Sequence, residues 1–344
     1  MDERLGFTVG DRICTDRAGN ELYRIPWRHT MSGWANVYRP LKDRFPAERY
    51  HFGKAFERFE VEDSSVRARF HDGTEARGDL LIGADGLRSA VRAQLFPGLE
   101  PAYAGYVAWR GTFPEGELSA AARQWLGNDY WIVLPPNEMF LCYQIPAKQA
   151  GLDWNYVWYR PVSERDWRDI STDATGRDHG NAMPPPLIRP DVIERIKHDA
   201  RTMLAPHMAE IIQRSRPFFQ AIFDVESPQM VVGRVALLGD AAYVARPHVG
   251  MGVTKAALDA VCLRNSLTQS PQDVDAALAR YARLRGEFGR RCVARARYLG
   301  AYVEAKVRPD RPWTERELDQ RPEKVLHEAA AHLRDIPGLA NMEV

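Results

Sequence analysis

Asp79-Leu-Leu-Ile-Gly-Ala-Asp85-Gly86-Leu-Arg88-Ser89-Ala-Val-Arg92 and Val235-Ala-Leu-Leu-Gly239-Asp240-Ala-Ala-Tyr243 are the two stretches that decide the fold. Each is an apolar run that stops at an aspartate–glycine pair, a strand followed by a turn and a helix start. α/β folds place ligands just off the carboxyl ends of their strands. A carboxylate there accepts hydrogen bonds from hydroxyls, and a neighbouring glycine lets a ligand approach the backbone. Ser89 stands where an N-cap is expected. An ordinary strand-to-helix turn would look the same, so both readings stay open on residues alone. The second stretch continues through Arg246-Pro247-His248-Val249-Gly250-Met251-Gly252-Val253-Thr254. Gly250 and Gly252 precede a helix, whose free backbone N–H groups would form an anion site. A glycine turn made for tight packing is the plainer alternative.

Outward from these stretches, residues 66–70 alternate apolar and basic side chains, as in a half-buried strand. Asp72-Gly73 then separates them from Leu80-Leu81-Ile82, a hairpin signal. Between Tyr103 and Tyr159 aromatic residues concentrate in runs of strand character, which predicts a second, sheet-rich domain. Residues 171–190 are polar and rich in Pro and Gly, a loop by composition. Residues 191–214 read as one helix. Beyond residue 252 two more helices are expected. The first would bury Val253, Ala256, Ala257, Ala260 and Val261, and the second Val274, Leu278, Tyr281, Leu284 and Phe288. The tail after Pro309 is charged and partly helical, suited to a cap or a homodimer contact.

Composition narrows the function classes. The 344 residues carry 47 basic and 46 acidic side chains, a net charge of +1. That balance gives no electrostatic reason to expect nucleic acid or an anionic membrane as partner. No apolar stretch approaches a membrane span, and the opening MDERLGFTVGDR lacks a signal-peptide pattern. A cytoplasmic location is the expectation. Cys14, Cys142, Cys262 and Cys292 are scattered, which favours free thiols over a disulfide framework. His327 and His332 are five apart, not the four that places two rings on one helix face, so no metal site is expected. No G-x-S-x-G elbow supports a hydrolase.

The pair GADGLRSAVR and ALLGDAAYVARPHVGMG resembles the DG and GD motifs of class A flavoprotein monooxygenases, the family of p-hydroxybenzoate and salicylate hydroxylases. Tyr103-Ala-Gly-Tyr-Val-Ala-Trp-Arg-Gly111 resembles the family's strand into the substrate domain. Residues 154–160 and Arg246-Pro247-His248 are similar to the 2,6-dihydroxypyridine 3-monooxygenase branch. The likeness covers roughly residues 1–300. It implies an α/β (α+β) fold, with an incomplete Rossmann-like FAD-binding domain interleaved with a sheet-rich substrate domain and followed by C-terminal helices. The expected segments are residues 1–102 and 225–304 for FAD, 103–224 for substrate, and 305–344 as a helical tail. By the same resemblance Asp240 binds the ribityl chain of FAD and Gly239 permits the approach. Pro247, Gly250, Met251 and Gly252 line the flavin through backbone groups. Asp85 and Gly86 serve FAD and NAD(P)H, and Arg39 approaches the cofactor.

The implied reaction hydroxylates an electron-rich aromatic or hydroxypyridine-like ring with NAD(P)H and O2. His248 and Tyr243 are the candidates for acid–base work or substrate hydrogen bonding, and Arg110 for an anionic substrate group. Three departures stand beside the likeness. Tyr243 occupies a position where many members have histidine, and Val253-Thr254 stands where many have asparagine. No G-x-G-x-x-G fingerprint is present: Gly250-Met251-Gly252 is followed by Lys255 at the next required position. Nothing before residue 66 reads as strand, glycine turn and helix in that order. A start placed too late, or a natural truncation, would account for this. The alternative reading is a flavin-free remnant that at most binds an aromatic ligand or a partner.

Overall fold

The computed structural model describes residues 5–148, 150–333, 336 and 338–339. Residues 340–344 of the expected helical tail lie outside them. Described residues form two compact units, each built from chain segments far apart in sequence. The first comprises Met1–Arg49, Ala104–Ile222 and Ala301–His327, and the second Tyr50–Tyr103, Phe223–Gly300 and Glu328–Val344. Residues 1–49, grouped by the sequence reading with the FAD-binding segment, therefore lie in the same unit as residues 104–222.

In the first unit the aromatic runs form a sheet. Its neighbouring strands are Ala102–Pro114, Leu152–Pro161, Met139–Pro146, Tyr130–Val133, Arg12–Thr15 and Glu21–Ile25, in that order. All neighbours are antiparallel except Tyr130–Val133 beside Arg12–Thr15, which is parallel. Side chains alternate across a strand, so Trp154, Tyr156 and Trp158 point together into a core with Ile196, Ala200, Ile211 and Ile212. Trp125 is not part of a strand but ends the helix Ala120–Leu126, stacked on Trp131 at 4.2 Å between ring centroids. The segment 191–214 is two helices, Pro190–Met203 and Pro206–Arg214. Pro206 has no N–H to continue the first helix, and it forces Ala205 out of helical geometry. A strand, a glycine and a helix do follow one another at His29–Met31, Gly33 and Trp34–Arg44. Among the described residues the strand pairs only antiparallel with Phe7–Val9, so no βαβ unit is seen there.

In the second unit the hairpin at Asp72-Gly73 joins Ser65–Phe70 to Glu75–Gly78, not to the apolar run that follows. That run leaves for another sheet: Leu81–Gly83 lies parallel to Val235–Leu237, with Val231–Val232 antiparallel on the far side. Gly83 is required there, because a Cβ would stand 2.9 Å from Val91 and 3.0 Å from Leu237. The helix Gly252–Gln269 buries a different face from the expected one. Val253 is 58% and Val261 36% exposed, while Lys255, Asp259, Cys262, Leu263 and Ser266 are buried. Apolar periodicity fails because the helix packs through charged partners. The helix Val274–Glu304 does bury Leu278, Tyr281 and Phe288 as expected. All four cysteines are free and buried.

Tyr243 is wedged against this long helix at its glycines. A Cβ on Gly289 would stand 2.3 Å from the Tyr243 ring, whereas one on Gly286 would meet nothing nearer than 3.7 Å. Overpacking a filled core costs about 1–3 kcal/mol, while Gly to Ala inside a helix otherwise gains about 0.5–1 kcal/mol. Gly289→Ala is therefore expected to lower the urea midpoint and Gly286→Ala to leave it level or raise it. Equal effects at the two positions would remove the packing argument.

Candidate functional site

The parallel pairing of Leu81–Gly83 with Val235–Leu237 is what assembles the site. Both strands run the same way, so their carboxyl ends, and the aspartates just beyond them, lie at one end of the sheet. Asp85 is exposed, and its Oδ2 accepts from the backbone N–H of Ala90 at 2.8 Å and Val91 at 3.2 Å. It thereby shares the start of the helix Ala90–Leu95 with Ser89, whose hydroxyl accepts from Arg92 N–H at 2.9 Å. Gly86 has φ 77° and open space around it. Arg92 reaches across to the second motif, donating from Nη1 to the Ala241 carbonyl at 3.0 Å.

Gly239 turns the chain with φ 62°, and a Cβ there would stand 3.1 Å from Ala256. Its N–H donates to Asp259 Oδ2 at 3.1 Å, and Asp259 Oδ1 accepts from Arg285 Nε at 2.7 Å. Lys255 Nζ lies 3.8 Å from Asp240 Oδ1 and 3.9 Å from Asp259 Oδ2. The Asp240 side chain stays 50% exposed at the end of its strand. Burial of its carboxyl on the remaining sides raises its pKa, an effect that Asp259 adds to and Lys255 opposes. Burial lowers the pKa of Lys255, against the pull of Asp259 and Asp240.

Residues 246–252 hang from a second buried ion pair. Arg246 donates to Asp224 from Nε at 3.0 Å and from Nη2 at 2.8 Å, and Arg297 joins the same carboxylate at 3.2 Å. Beyond it the short turn Pro247–Val249 ends at Gly250, in the left-handed region at φ 67°. A Cβ on Gly250 would collide with Ala330 at 2.8 Å, and the His248 carbonyl accepts from Ala330 N–H at 2.8 Å. Gly250 thus answers a packing demand from the C-terminal segment. Met251 is buried beside Phe288 and Leu339, and Gly252 opens the following helix with free space around it.

The candidates named from the sequence fall into two groups. Asp85, Gly86, Gly239, Asp240, Pro247, Gly250, Met251 and Gly252 share the second unit, as do Tyr243 and His248. Arg39 and Arg110 belong to the first. Arg39 is exposed on a helix that buries none of its residues, and it lines a cavity of about 1400 Å³ with Asn36, Arg44 and Lys148. Arg110 donates to Gln220 at 2.9 Å and has no carboxylate partner among the described residues. Tyr143 and Tyr159 lie near enough for its charge to be felt at both phenols.

Tyr243 and His248 are not open groups, contrary to what their sequence positions suggest. Tyr243 is 1% exposed and packed into the helix, and burial raises its pKa. His248 is 3% exposed; burial, helped by Arg246, pulls its pKa down to about 3. Burial therefore disfavours the charged form of the ring. Sequence reading missed Lys255, Asp259, Arg285, Asp224 and Arg246 as supports of the site. Lys255 and Asp259, an i,i+4 pair in a helix of small residues, were the legible signal.

The chain is similar to known proteins in sequence and in fold. Residues 103–224 match the family described as FAD binding domain-like. The chain is 32% identical over 265 residues to the 2,6-dihydroxypyridine 3-monooxygenase of Paenarthrobacter nicotinovorans, covering 76% of this chain and 65% of that one. It is 33% identical over 248 residues to the aurachin C monooxygenase/isomerase of Stigmatella aurantiaca, covering 72% and 57%. The chain thus spans less than two thirds of the length of these relatives. The structure of 2,6-dihydroxypyridine-3-hydroxylase from Arthrobacter nicotinovorans superposes with a TM-score of 0.83 at 26% identity, over 88% of this chain and 78% of that one. The fold matches that of FAD-dependent hydroxylases. The chain is similar in sequence and in fold to FAD-dependent aromatic hydroxylases. Among the described residues no helix is long and apolar enough to cross a membrane.

His248 gives a pH prediction. Its folded pKa lies below the ordinary 6.5, so its contribution to stability is complete above pH 6.5 and is lost as pH falls toward about 3. The slope is about 1.4 kcal/mol per pH unit for a single group. Between pH 7 and pH 5 the wild type is expected to lose about 2 kcal/mol more unfolding free energy than His248→Gln. Parallel urea curves for the two proteins across that range would refute the assignment.

Proposed function

We propose that the protein is an FAD-dependent monooxygenase that hydroxylates an electron-rich aromatic or hydroxypyridine-like ring, drawing electrons from NAD(P)H and oxygen from O2. The observation that carries this reading is the convergence of Asp85-Gly86 and Gly239-Asp240 at one end of a parallel strand pair. A half-exposed carboxylate beside a positive-φ glycine suits a polyol such as the ribityl chain. Gly252, with open space around it at the start of a helix, suits an electron-rich ring edge. These residues fit the flavin half of FAD. Bound flavin supplies the redox and oxygen-transfer chemistry.

The chain's own residues have narrower tasks. Asp240 accepts hydroxyl hydrogen bonds, and Asp85 offers its free oxygen while Oδ2 stays on the helix. The N–H groups at the start of Gly252–Gln269 set positive potential at the site. Arg110 is assigned to an anionic substrate oxygen, because its guanidinium lacks a carboxylate among the described residues and sits near Tyr143 and Tyr159. Neutral His248 holds the loop rather than moving a proton. The likeness to the Paenarthrobacter enzyme favours a hydroxypyridine-like substrate.

A second reading is favoured by one observation. Among the described residues the strand Leu81–Gly83 has a neighbour on one side only, and Ile82 is 45% exposed. A sheet that small gives the ADP half little support, as a flavin-free protein that binds an aromatic ligand or a partner would show.

Titration of the purified chain with FAD separates the two. Saturable uptake with flavin absorbance bands is expected. Asp240→Ala should weaken it by about 10- to 100-fold, the value of about 1.5–3 kcal/mol for hydrogen bonds to a charged group. Substrate-dependent NAD(P)H oxidation is then expected with hydroxypyridines. A colourless chain that ignores FAD would leave the second reading.

A further inference from the structure

Lys255 is the group the proposed chemistry leaves unused. It is 1% exposed in the first turns of Gly252–Gln269, on the face opposite the small apolar residues that the sequence pattern assigned to burial. A buried ammonium is costly unless it is paired. Its charged surroundings come from three elements. Asp240 lies on the turn Gly239–Ala241, Asp259 lies one turn along its own helix, and Arg285 and Cys292 lie on the long helix behind. Cys292 is a buried neutral thiol, its pKa pushed up to about 12. The remaining charges, Lys255 and Arg285 against Asp240 and Asp259, cancel as a set.

Within that set the roles differ. Asp259 is fully engaged by Arg285 Nε at 2.7 Å and by the Gly239 N–H at 3.1 Å. Asp240 has Lys255 as its only ion-pair partner among the described residues, at 3.8 Å. Without the ammonium the cluster would hold two carboxylates and one cation, and that cation is already committed to Asp259. Asp240 would then be the site that takes up a proton, and a protonated acid presents fewer acceptors to ligand hydroxyls.

We propose that Lys255 is a positioning residue that keeps Asp240 an ionised, outward-facing acceptor for the flavin polyol chain. This rests on the reading of Asp240 as a flavin ligand. The role is electrostatic, so it predicts a pH signature that a packing role would not produce.

The test measures FAD affinity of the full chain by flavin fluorescence at pH 6, 7 and 8.5, in wild type, Lys255→Met, Lys255→Gln, Lys255→Arg and Asp240→Asn. Wild type and Lys255→Arg are expected to show a flat profile. Lys255→Met and Lys255→Gln should bind at least about 10-fold more weakly at pH 6 and recover most of the loss at pH 8.5, the range over which a carboxyl with a raised pKa ionises. In the Asp240→Asn background Lys255→Gln should add no pH dependence. A loss of equal size at every pH, or no loss, overturns the proposal. The carboxyl ¹³C shift of Asp240, followed with pH in the ligand-free wild type and Lys255→Arg, gives a readout independent of FAD and of the uncharged variants folding. A midpoint that stays below pH 6 in both, though raised by burial, supports the proposal, and a midpoint near neutrality in either overturns it. Wild type that fails to take up FAD at any pH would instead refute the flavin reading, while the carboxyl titration still decides the Lys255–Asp240 coupling.

Discussion

Three residues of strand, Leu81–Gly83, lie parallel to three others, Val235–Leu237, across about 150 positions of intervening chain. The candidate site depends on that pairing. Antiparallel pairing would send the two aspartates to opposite ends of the sheet. A pair this short contributes few backbone hydrogen bonds, so its register is held mainly by side chains. Val235, Ala236 and Leu237 are fully buried, and Gly83 admits Val91 and Leu237 at distances no Cβ would tolerate. Arg92 then ties the helix after the first motif to the carbonyl of Ala241 in the second. The candidate groups on the loops are held in place because the strands beneath them are locked.

Charge, more than apolar packing, finishes the arrangement. Asp259 grips the Gly239 N–H from below, and Arg246 holds the next loop by a two-pronged bond to Asp224. Ion pairs this deep contribute little net stability, because desolvation offsets their attraction. Their geometric demand is strict, since removing one partner strands the other charge in a low-dielectric interior. Such pairs place a turn to within a fraction of an ångström, which a ligand site requires and a greasy contact does not ensure. The helix Gly252–Gln269 shows the consequence, burying Lys255 and Asp259 while Val253 lies in solvent.

Much of this was legible in the sequence. Apolar runs ending in Asp-Gly and Gly-Asp announced two strand ends, and the aromatic runs announced a sheet, because burial of strand faces leaves a direct trace in composition. Ser89 was recognisable as a cap because capping is a local interaction. The misreadings share a cause in non-local partners. The run at residues 80–82 looked like the second arm of a hairpin, and its true neighbour lies at Val235–Leu237. Tyr243 and His248 looked available for catalysis, and only the tertiary packing shows one jammed against Gly289 and the other sealed beside Arg246. Gly250, named from the sequence for a cofactor, also meets a packing demand from Ala330, 80 positions away.

The glycines therefore divide by what presses on them, and that division bears on the chemistry. Gly83, Gly239 and Gly250 face protein atoms that a side chain would strike, whereas Gly86 and Gly252 face open space. A glycine with no neighbour is not kept for packing. At Gly86 a positive φ gives one backbone reason, but Gly252, the first residue of a helix, is not among the glycines of positive φ. An alanine would fit there and favour the helix. On the flavin reading proposed above, glycine there leaves the helix N–H groups bare toward a planar, electron-rich ring.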